Sequence, residues 1–327
     1  TLKGEPSTYY HSIVVFNAET LEYIEHSVPF VFERPQIEFS LGLVIRDEDV
    51  ILGYSTWDRT CKIKSYNKKD LFNTIHLKDE PANINKNLLY MVAIGINIPP
   101  SAKEAWSRYC KKIGCDFKII TELSEKFKGR KPHWERYNIF ETHPGYDNYI
   151  YVDVDSLPHW NCPDLFEELS DSNKFYAVKE LGNLEWIYKG LEGYKDLFEK
   201  VDTSWDNYVA SGFLKFSKNH KNLFEKFVDF EIKNRYLLIE KEDKTVVRGV
   251  DQNVLNLFLR DQKVDLEILP ESYSLGHLYL KCIDKGHYFL NIPCKLWQFN
   301  GMSAEGCGAG GTQNFIEQTW NKIKHKY

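Results

Sequence analysis

The sequence predicts an α/β protein in which a small antiparallel β module precedes a larger domain with a mostly parallel central sheet. Residues 1–76 consist of short extended runs separated by turn-forming residues, a pattern typical of antiparallel strands. From Leu88 onward, short apolar runs alternate with stretches at helical spacing, which favours the strands and helices of a parallel sheet. Residues 77–87 are polar and lack periodicity, so we place the boundary there and expect domains at 1–80 and 81–327.

The N-terminal module is predicted to form a single antiparallel sheet of four or five strands. A single sheet has an apolar face that another layer must cover. The predicted strands are residues 12–16, a run ending at Phe32, 37–45, 50–55 and 61–66, with a hairpin tip at 46–49.

In the larger domain, the apolar run Leu88–Ile96 predicts a strand that is covered on both faces. Ser101 and Glu104 have the spacing of a capping box at a helix start, and Gly114 suits the left-handed end of that helix. Further predicted elements are a strand at 117–120, a helix at 132–140, a strand at 148–152, and a C-terminal helix with Phe315, Ile316, Trp320 and Ile323 facing inward.

Composition limits the function classes that fit this chain of 327 residues. Lys and Arg number 42 and Asp and Glu 47, and the resulting charge of −5 argues against an overall cationic surface for nucleic acid. The longest apolar run is far shorter than the roughly 20 residues that span a bilayer, so we expect no transmembrane segment. Seven cysteines without a C-x-x-C pair, and no secretory leader, indicate a reducing, cytoplasmic setting. The start at Thr1 instead of Met leads us to expect an upstream portion.

Two carboxylates follow the predicted strand at 148–152. Asp153 and Asp155 are separated by one residue, so on an extended backbone both side chains point to the same side. Open α/β sheets bind ligands at the carboxyl ends of their strands, and paired carboxylates suit Mg²⁺ or Mn²⁺. A D-x-D pair alone is also compatible with two aspartates that cap a loop. The position directly after a buried strand favours a metal site.

Four motifs of the larger domain occur in a fixed order along the chain. They are a helix with a basic residue, His133–Phe140; a strand with D-x-D and its loop, Tyr149–Asp155 and Pro163–Phe166; the strand Asn207–Phe213; and the helix start Gly249–Asn256. Together they resemble the glycogenin-like pattern of GT-A-fold glycosyltransferases that use nucleotide sugars. The resemblance covers residues 88 to about 300.

This resemblance implies a GT-A fold and transfer of a sugar from a nucleotide-diphosphate sugar, UDP-hexose, to a carbohydrate or glycoconjugate acceptor with Mn²⁺ or Mg²⁺. It implies that Asp153 contacts the ribose or the metal and that Asp155 ligates the metal. Arg136 would lie near the nucleotide phosphates or base. Asp251 would face the reacting sugar, as a general base or as a hydrogen-bonding clamp. Because Asp251 also opens a predicted helix, a carboxylate that only caps this helix is the alternative.

Further substrate contacts are expected from the same motifs and from aromatic residues. The resemblance implies that Ser211 and Gly212 line the acceptor side and that Gln252 contacts substrate. Trp186 and Trp205 are candidates for an acceptor-sugar platform in a chain with 15% aromatic residues, with packing in the core as the alternative.

One position departs from the family pattern, which has a histidine as third metal ligand where Gln298 stands here. An amide oxygen also coordinates a hard cation, but more weakly. A glycine-rich stretch follows at 306–311, where Gly308 and Gly310 are expected to offer backbone N–H groups to the diphosphate. A flexible connector is the alternative for this stretch.

Several segments of the N-terminal module also share a pattern, namely His11–Phe16, Pro29–Phe32, Ile37–Leu43 and Gly53–Asp58. They resemble the last blade of a β-propeller of the kind found beside glycosyltransferase domains in large bacterial sugar-assembly proteins. In a single blade, Glu38 is interpreted as a structural residue.

Two other functions are alternatives. A haloacid-dehalogenase-type phosphatase also has D-x-D after a hydrophobic strand, but Leu157 stands where that motif has Thr or Val. A non-catalytic carbohydrate-binding protein with a decayed transferase domain is the other, but the presence of Asp153, Asp155 and Asp251 argues against such decay.

Overall fold

The computed structural model divides the chain into two units, Thr1–Ile84 and Asn85–Tyr327. The described residues are 9–21, 23–26, 30–33, 37–57, 59–68, 86–180, 182, 184–198, 200–243, 250–276, 288–300 and 311–327.

Among the described residues of the N-terminal unit, five strands form two antiparallel sheets. They are β1 (Val14–Phe16), β2 (Tyr23–His26), β3 (Glu38–Arg46), β4 (Asp49–Thr56) and β5 (Thr60–Asn67). β1 pairs with β2, while β3, β4 and β5 form a separate meander. The predicted single sheet is therefore wrong, whereas the predicted hairpin tip between β3 and β4 is confirmed.

A buried carboxylate holds the backbone of residues 32–33 in the N-terminal unit. The side chain of Glu38 is fully buried and accepts backbone hydrogen bonds from Phe32 at 2.7 Å and Glu33 at 3.2 Å. This segment is thus held by a side chain instead of a strand ladder, and Phe32 packs against Val50 and Leu52 on the face of β4. Glu38 has the structural role expected of it. The resemblance to a propeller blade stays a prediction.

A six-stranded, mostly parallel sheet forms the centre of the second unit. Its strands are β6 (Asn87–Val92), β7 (Asp116–Ile120), β8 (Asn148–Val152), β10 (Phe175–Lys179), β11 (Val209–Ser217) and β12 (Leu266–Leu269). Their order across the sheet is β12-β10-β11-β8-β6-β7, and only β11 runs antiparallel to its neighbours among these strands. A short antiparallel pair consists of β9 (Ser156–Pro158) and β13 (Leu296–Gln298). The predicted α/β class with a small antiparallel module is confirmed.

Side chains of the central strands alternate between two apolar layers. In β8, Tyr149 and Tyr151 belong to one cluster, and Ile150 and Val152 belong to the other. A strand covered on both faces needs apolar residues at every position, which is why its sequence is continuously apolar. The α-helices are α1 (Pro100–Ile113), α2 (Ile139–Thr142), α3 (Leu165–Glu168), α4 (Leu184–Tyr194), α5 (Lys221–Asp243), α6 (Val250–Asp261) and α7 (Thr312–Ile323).

The two ends of α1 differ in how well they were predicted. Gly114 ends the helix with a left-handed φ of +72°, as predicted. The predicted capping box is wrong, because the backbone N–H and hydroxyl of Ser101 both donate to Glu317 of α7. Glu104 instead bonds Arg108, on the same helix. A tertiary contact thus replaces the local cap.

The predicted helix at 132–140 is a 3₁₀ helix at Pro132–Asn138 followed by the short α2. The C-terminal helix is confirmed as α7, with its four predicted inward residues buried. Within the described ranges, no helix combines the length and apolar character needed to cross a membrane. The cysteines that can be described, Cys61, Cys110, Cys115, Cys162 and Cys294, are free.

Candidate functional site

The candidate site lies where parallel strands of the sheet end. The chain leaves β8 into Asp153, β10 into Glu180 and β12 into Pro270–Glu271. Antiparallel β11 brings its beginning to this same edge, so that Gly212 meets Asp153. A cleft of about 260 Å³ opens here. Convergence of strand ends is the usual origin of a ligand site in an open α/β sheet.

Five of the residues predicted for the site line this cleft. They are Asp153, Trp186, Gly212, Gln252 and Gln298. Four separate stretches of sequence and a lone tryptophan therefore converge on one cavity.

Asp153 is the carboxylate that faces the cleft, with 27% of its side chain exposed. The hydroxyl of Tyr151 donates to its Oδ1 at 2.5 Å, and the amide of Gln298 donates to its Oδ2 at 3.0 Å. Arg136 Nη1 lies 3.5 Å from Oδ1. Both carboxylate oxygens are thus oriented by neighbours while the group stays accessible.

Gly212 allows the carboxylate and the amide to approach the strand. A Cβ atom at this position would lie 2.2 Å from Gln298 Nε2 and 2.8 Å from Asp153 Oδ2. The side chains of Gln298 and Asp153 therefore fill the space that any other residue would occupy. Gln298 is delivered by β13, where it pairs with Ser156 of β9, just beyond the D-x-D segment.

Asp155 lies beside the cleft without lining it. Its Oδ1 is buried and has no hydrogen-bond partner among the described residues. Burial and the charge of Asp153 raise the pKa of Asp155 to about 7. A buried carboxyl oxygen without a partner, next to a second carboxylate, is a group that a cation would satisfy. In the described part of the chain, no three His, Cys, Asp or Glu side chains are grouped so that they could hold a metal ion.

Arg136 is buried and lies between Asp153 and Asp251. Its Nη1 donates to the carbonyl of Ser211 at 2.9 Å, and its guanidinium lies 4.5 Å from the ring centre of Tyr151. It lies between two carboxylates, 3.5 Å from Asp153 and 3.6 Å from Asp251. Arg136 does not line the cleft. The contact of Arg136 with nucleotide phosphates or base stays a prediction. Its observed contacts orient the carboxylates of Asp153 and Asp251.

Asp251 lies in the first turn of α6, which begins at Val250, and is 5% exposed. The hydroxyl of Tyr137 donates to its Oδ2 at 2.8 Å, and His133 Nε2 lies 3.7 Å from its Oδ1. Burial opposes ionisation, but the positive groups beside Asp251 and the tyrosine hydroxyl hold its pKa below the ordinary value. A carboxylate held ionised in this way accepts protons weakly. Asp251 does not line the cleft, so its expected role as a general base or a clamp stays a prediction.

Ser211 and Gln252 are tied to each other. The backbone N–H and the hydroxyl of Ser211 both donate to Gln252 Oε1, at 2.9 and 3.2 Å. Ser211 is buried and does not line the cleft, whereas Gln252 does. The Gln252 amide nitrogen also donates to the hydroxyl of Tyr208 at 3.2 Å. These bonds join the start of β11 to α6.

Not every predicted residue is brought to the cleft. Trp205 is 49% exposed and is not part of the cleft lining. Gly308 and Gly310 lie outside the described residues.

Several lining residues were missed, among them Lys179, Glu180, Glu271 and Ser274. Lys179 ends β10 and Glu180 follows it, while Glu271 lies two residues after β12. The signal that identified Asp153, a polar residue directly after a short apolar strand, was available for these residues as well.

Comparison with known proteins gives the following similarities. No family model and no curated protein sequence matches the chain. Among solved structures, it is similar to a glycosyltransferase involved in glycosylation of the major capsid of PBCV-1, with 14% identity over 71% of this chain and 99% of that chain and a TM-score of 0.44. The galactosyltransferase LgtC, solved with donor and acceptor sugar analogues, is 15% identical over 73% and 100% with a TM-score of 0.44. Mouse xyloside xylosyltransferase 1 is 11% identical over 66% and 98%, with a TM-score of 0.41.

Proposed function

We propose that this protein is a glycosyltransferase that moves a hexose from a UDP-sugar to a carbohydrate or glycoconjugate acceptor, with Mn²⁺ or Mg²⁺ bound at Asp153 and Asp155. One observation carries the proposal. Residues from separate motifs, Asp153, Gly212, Gln252 and Gln298, share one cleft at the carboxyl ends of parallel strands.

The donor set supports a hard divalent cation. Oxygen ligands are what Mg²⁺ and Mn²⁺ prefer, and the unpartnered Oδ1 of Asp155 together with accessible Asp153 supplies them. Bound there, the cation would neutralise the negative charge that develops on a departing nucleoside diphosphate.

Gln298 fits the role of a third donor because of its neighbour Ser274. In the structure Gln298 Oε1 lies 3.0 Å from the hydroxyl of Ser274, while its Nε2 faces Asp153. A hydroxyl both donates and accepts hydrogen bonds, so it supports either orientation of the amide. Gln298 can therefore turn its oxygen toward a cation without losing its partner.

The chain's remaining groups would position the sugar. Asp251, held ionised by Tyr137 and Arg136, acts as a fixed hydrogen-bond acceptor and clamp, and Gln252 carries its amide into the cleft. Trp186 supplies an aromatic face, and Glu180 supplies a further polar group. An apolar ring face combined with a few oriented polar groups is how sugar sites bind their ligands.

The test is a screen of UDP-sugars for donor hydrolysis, read by released UDP, together with thermal unfolding in UDP and Mn²⁺. We expect UDP release and a higher unfolding midpoint for the wild type, because ligands that bind the native state stabilise it. Asp153→Asn should lose both, while Asp265→Asn, at an exposed aspartate before β12, should lose neither. No released UDP from any donor and an unchanged midpoint would contradict the proposal.

A further inference from the structure

The second unit has a second cleft, of about 700 Å³. It is formed by the irregular segment 200–207, the last residues of α6 and the edge strand β12. Its lining includes Lys200, Asp202, Ser204, Arg260, Asp261 and Lys263, and no residue of the first cleft.

Arg260 is fixed in this cleft by one nitrogen and unpaired at another. Its Nη1 donates to the carbonyls of Asp202 at 2.7 Å and Ser204 at 2.8 Å. Its Nη2 is buried and has no hydrogen-bond partner among the described residues. A buried guanidinium N–H group without an acceptor is unfavourable, so the site is one acceptor short.

Two further cations line the same cleft. Lys200 and Lys263 are exposed, and neither has an ion-pair partner within the described residues. The acidic residues of the lining are occupied. Asp202 accepts hydrogen bonds from Ser204 at 2.9 and 2.7 Å, and Asp261 accepts one from Gln262 at 2.7 Å. These neutral donors leave both carboxylates charged, and the charges of Asp202 and Asp206 act on Arg260. Lys200 and Lys263 are thus the lining cations without a paired carboxylate among the described residues.

We infer that this second cleft binds an anionic group, a carboxylate or a phosphate, with Arg260 as its central contact and Lys200 and Lys263 beside it. A planar guanidinium recognises both groups through paired hydrogen bonds, and the unpaired Nη2 provides the free donor. Trp205 is half exposed and lies, in sequence, between the lining residues Ser204 and Asn207. That the anion belongs to a carbohydrate, such as an acidic sugar of the acceptor, rests on the proposed function; the anion site itself does not.

The experiment is calorimetric titration of the full chain, without nucleotide or metal, with inorganic phosphate, methyl glucuronide and neutral methyl glucoside. Binding of phosphate alone identifies a phosphate site, and binding of the glucuronide identifies a carboxylate site on a sugar. Either supports the inference if methyl glucoside binds at least about tenfold more weakly. If neither anion binds, or the glucoside binds equally well, the inference is wrong. Because no donor is present, a failed transferase assay leaves this result unaffected.

Variants assign the binding to the cleft. Lys200→Gln with Lys263→Asn leaves Arg260 in place, and asparagine tolerates the left-handed φ of +50° at residue 263. We expect this pair to weaken anion binding about tenfold and Arg260→Gln to abolish it. Lys103→Gln, at an exposed lysine of α1, should bind like the wild type. Unchanged binding in the lysine pair would overturn the inference even if Arg260→Gln fails to fold.

Discussion

The side-chain amide of Gln298 donates a 3.0 Å hydrogen bond to Oδ2 of Asp153, although the two residues are 145 positions apart. Pairing of β13 with β9 places Gln298 opposite Ser156, three residues after Asp153. The orientation of the cleft carboxylate therefore depends on a short strand pair outside the central sheet. Single substitutions test the role of the individual residues of this site.

Asp155→Asn should abolish donor hydrolysis and leave the fold intact. Its buried Oδ1 has no partner among the described residues, so removing the charge breaks no hydrogen bond there but removes a cation ligand. EDTA should have the same effect on the wild type. UDP release and circular dichroism measure the two outcomes. Activity near that of the wild type, in the variant or in EDTA, would show that no cation at Asp155 is needed.

Asp251→Asn should lower the rate of sugar transfer by at least about 10²-fold, because it removes a fixed charge beside the site. If Asp251 only capped α6, the change would cost about 1 kcal/mol of stability or less and spare the rate. Asp164→Asn is the matched control, since the Asp164 side chain caps α3 by accepting from the backbone of Phe166 and Glu167. Steady-state kinetics with denaturant unfolding separate the roles. A normal rate for Asp251→Asn would mean that Asp251 only caps α6.

Gly212→Ala should inactivate the protein without unfolding it. The added methyl group would displace Gln298 and Asp153, whose closest atoms are the ends of flexible side chains. We expect donor hydrolysis to fall by about 10²-fold, because misplaced groups no longer align the reactants. The free energy of unfolding should change by about 1 kcal/mol or less. Gly42→Ala, in a strand with open space around that position, is the control. An active Gly212→Ala variant would mean that the hydrogen bond between Gln298 and Asp153 is dispensable.

Lys215→Met should stabilise the protein at neutral pH. Lys215 is fully buried in β11, its Nζ has no hydrogen-bond partner in the described part of the chain, and burial lowers its pKa to about 8. Below pH 8 the lysine is charged in both states and burial of that charge destabilises the folded one, so the variant gains about 2–3 kcal/mol.

That gain shrinks as pH rises from 8 toward the ordinary lysine pKa of 10.5, above which the lysine is neutral in both states. At pH 10 it should be under about 1 kcal/mol. Denaturant unfolding at pH 7 and pH 10 measures this difference, with Lys118→Met, at an exposed lysine of β7, as the control. A gain independent of pH would mean that the pKa of Lys215 is the same in the folded and unfolded states.

Local sequence patterns predicted the elements that have local causes. Residues 149–152 of strand β8 are continuously apolar because both faces of the strand are covered, and the polar Asp153 follows directly, so the bounds of the strand were readable. Gly114 ends α1 because only its backbone readily adopts the left-handed conformation. These features need no information from distant residues.

The wrong predictions concern contacts between distant residues. Ser101 has the pattern of a capping box, but Glu317, 216 residues away, takes its donors. In the N-terminal unit, Glu38 accepts a hydrogen bond from the backbone N–H of Phe32. The strands there form two sheets, although the alternating pattern of their sequence predicted one. Trp205 was expected near the cleft because it lies between two strands of the site. Its segment instead contacts Arg260, a residue that no sequence pattern singles out.

We propose that the cleft at Asp153 holds a divalent cation and a nucleoside diphosphate. A crystal of the wild-type protein soaked with UDP and Mn²⁺, measured at the manganese absorption edge, tests it most directly. We predict one anomalous peak between the carboxylates of Asp153 and Asp155, with the diphosphate in the cleft lined by Gly212 and Gln298. UDP bound elsewhere, or a manganese peak that avoids both aspartates, would contradict the claim.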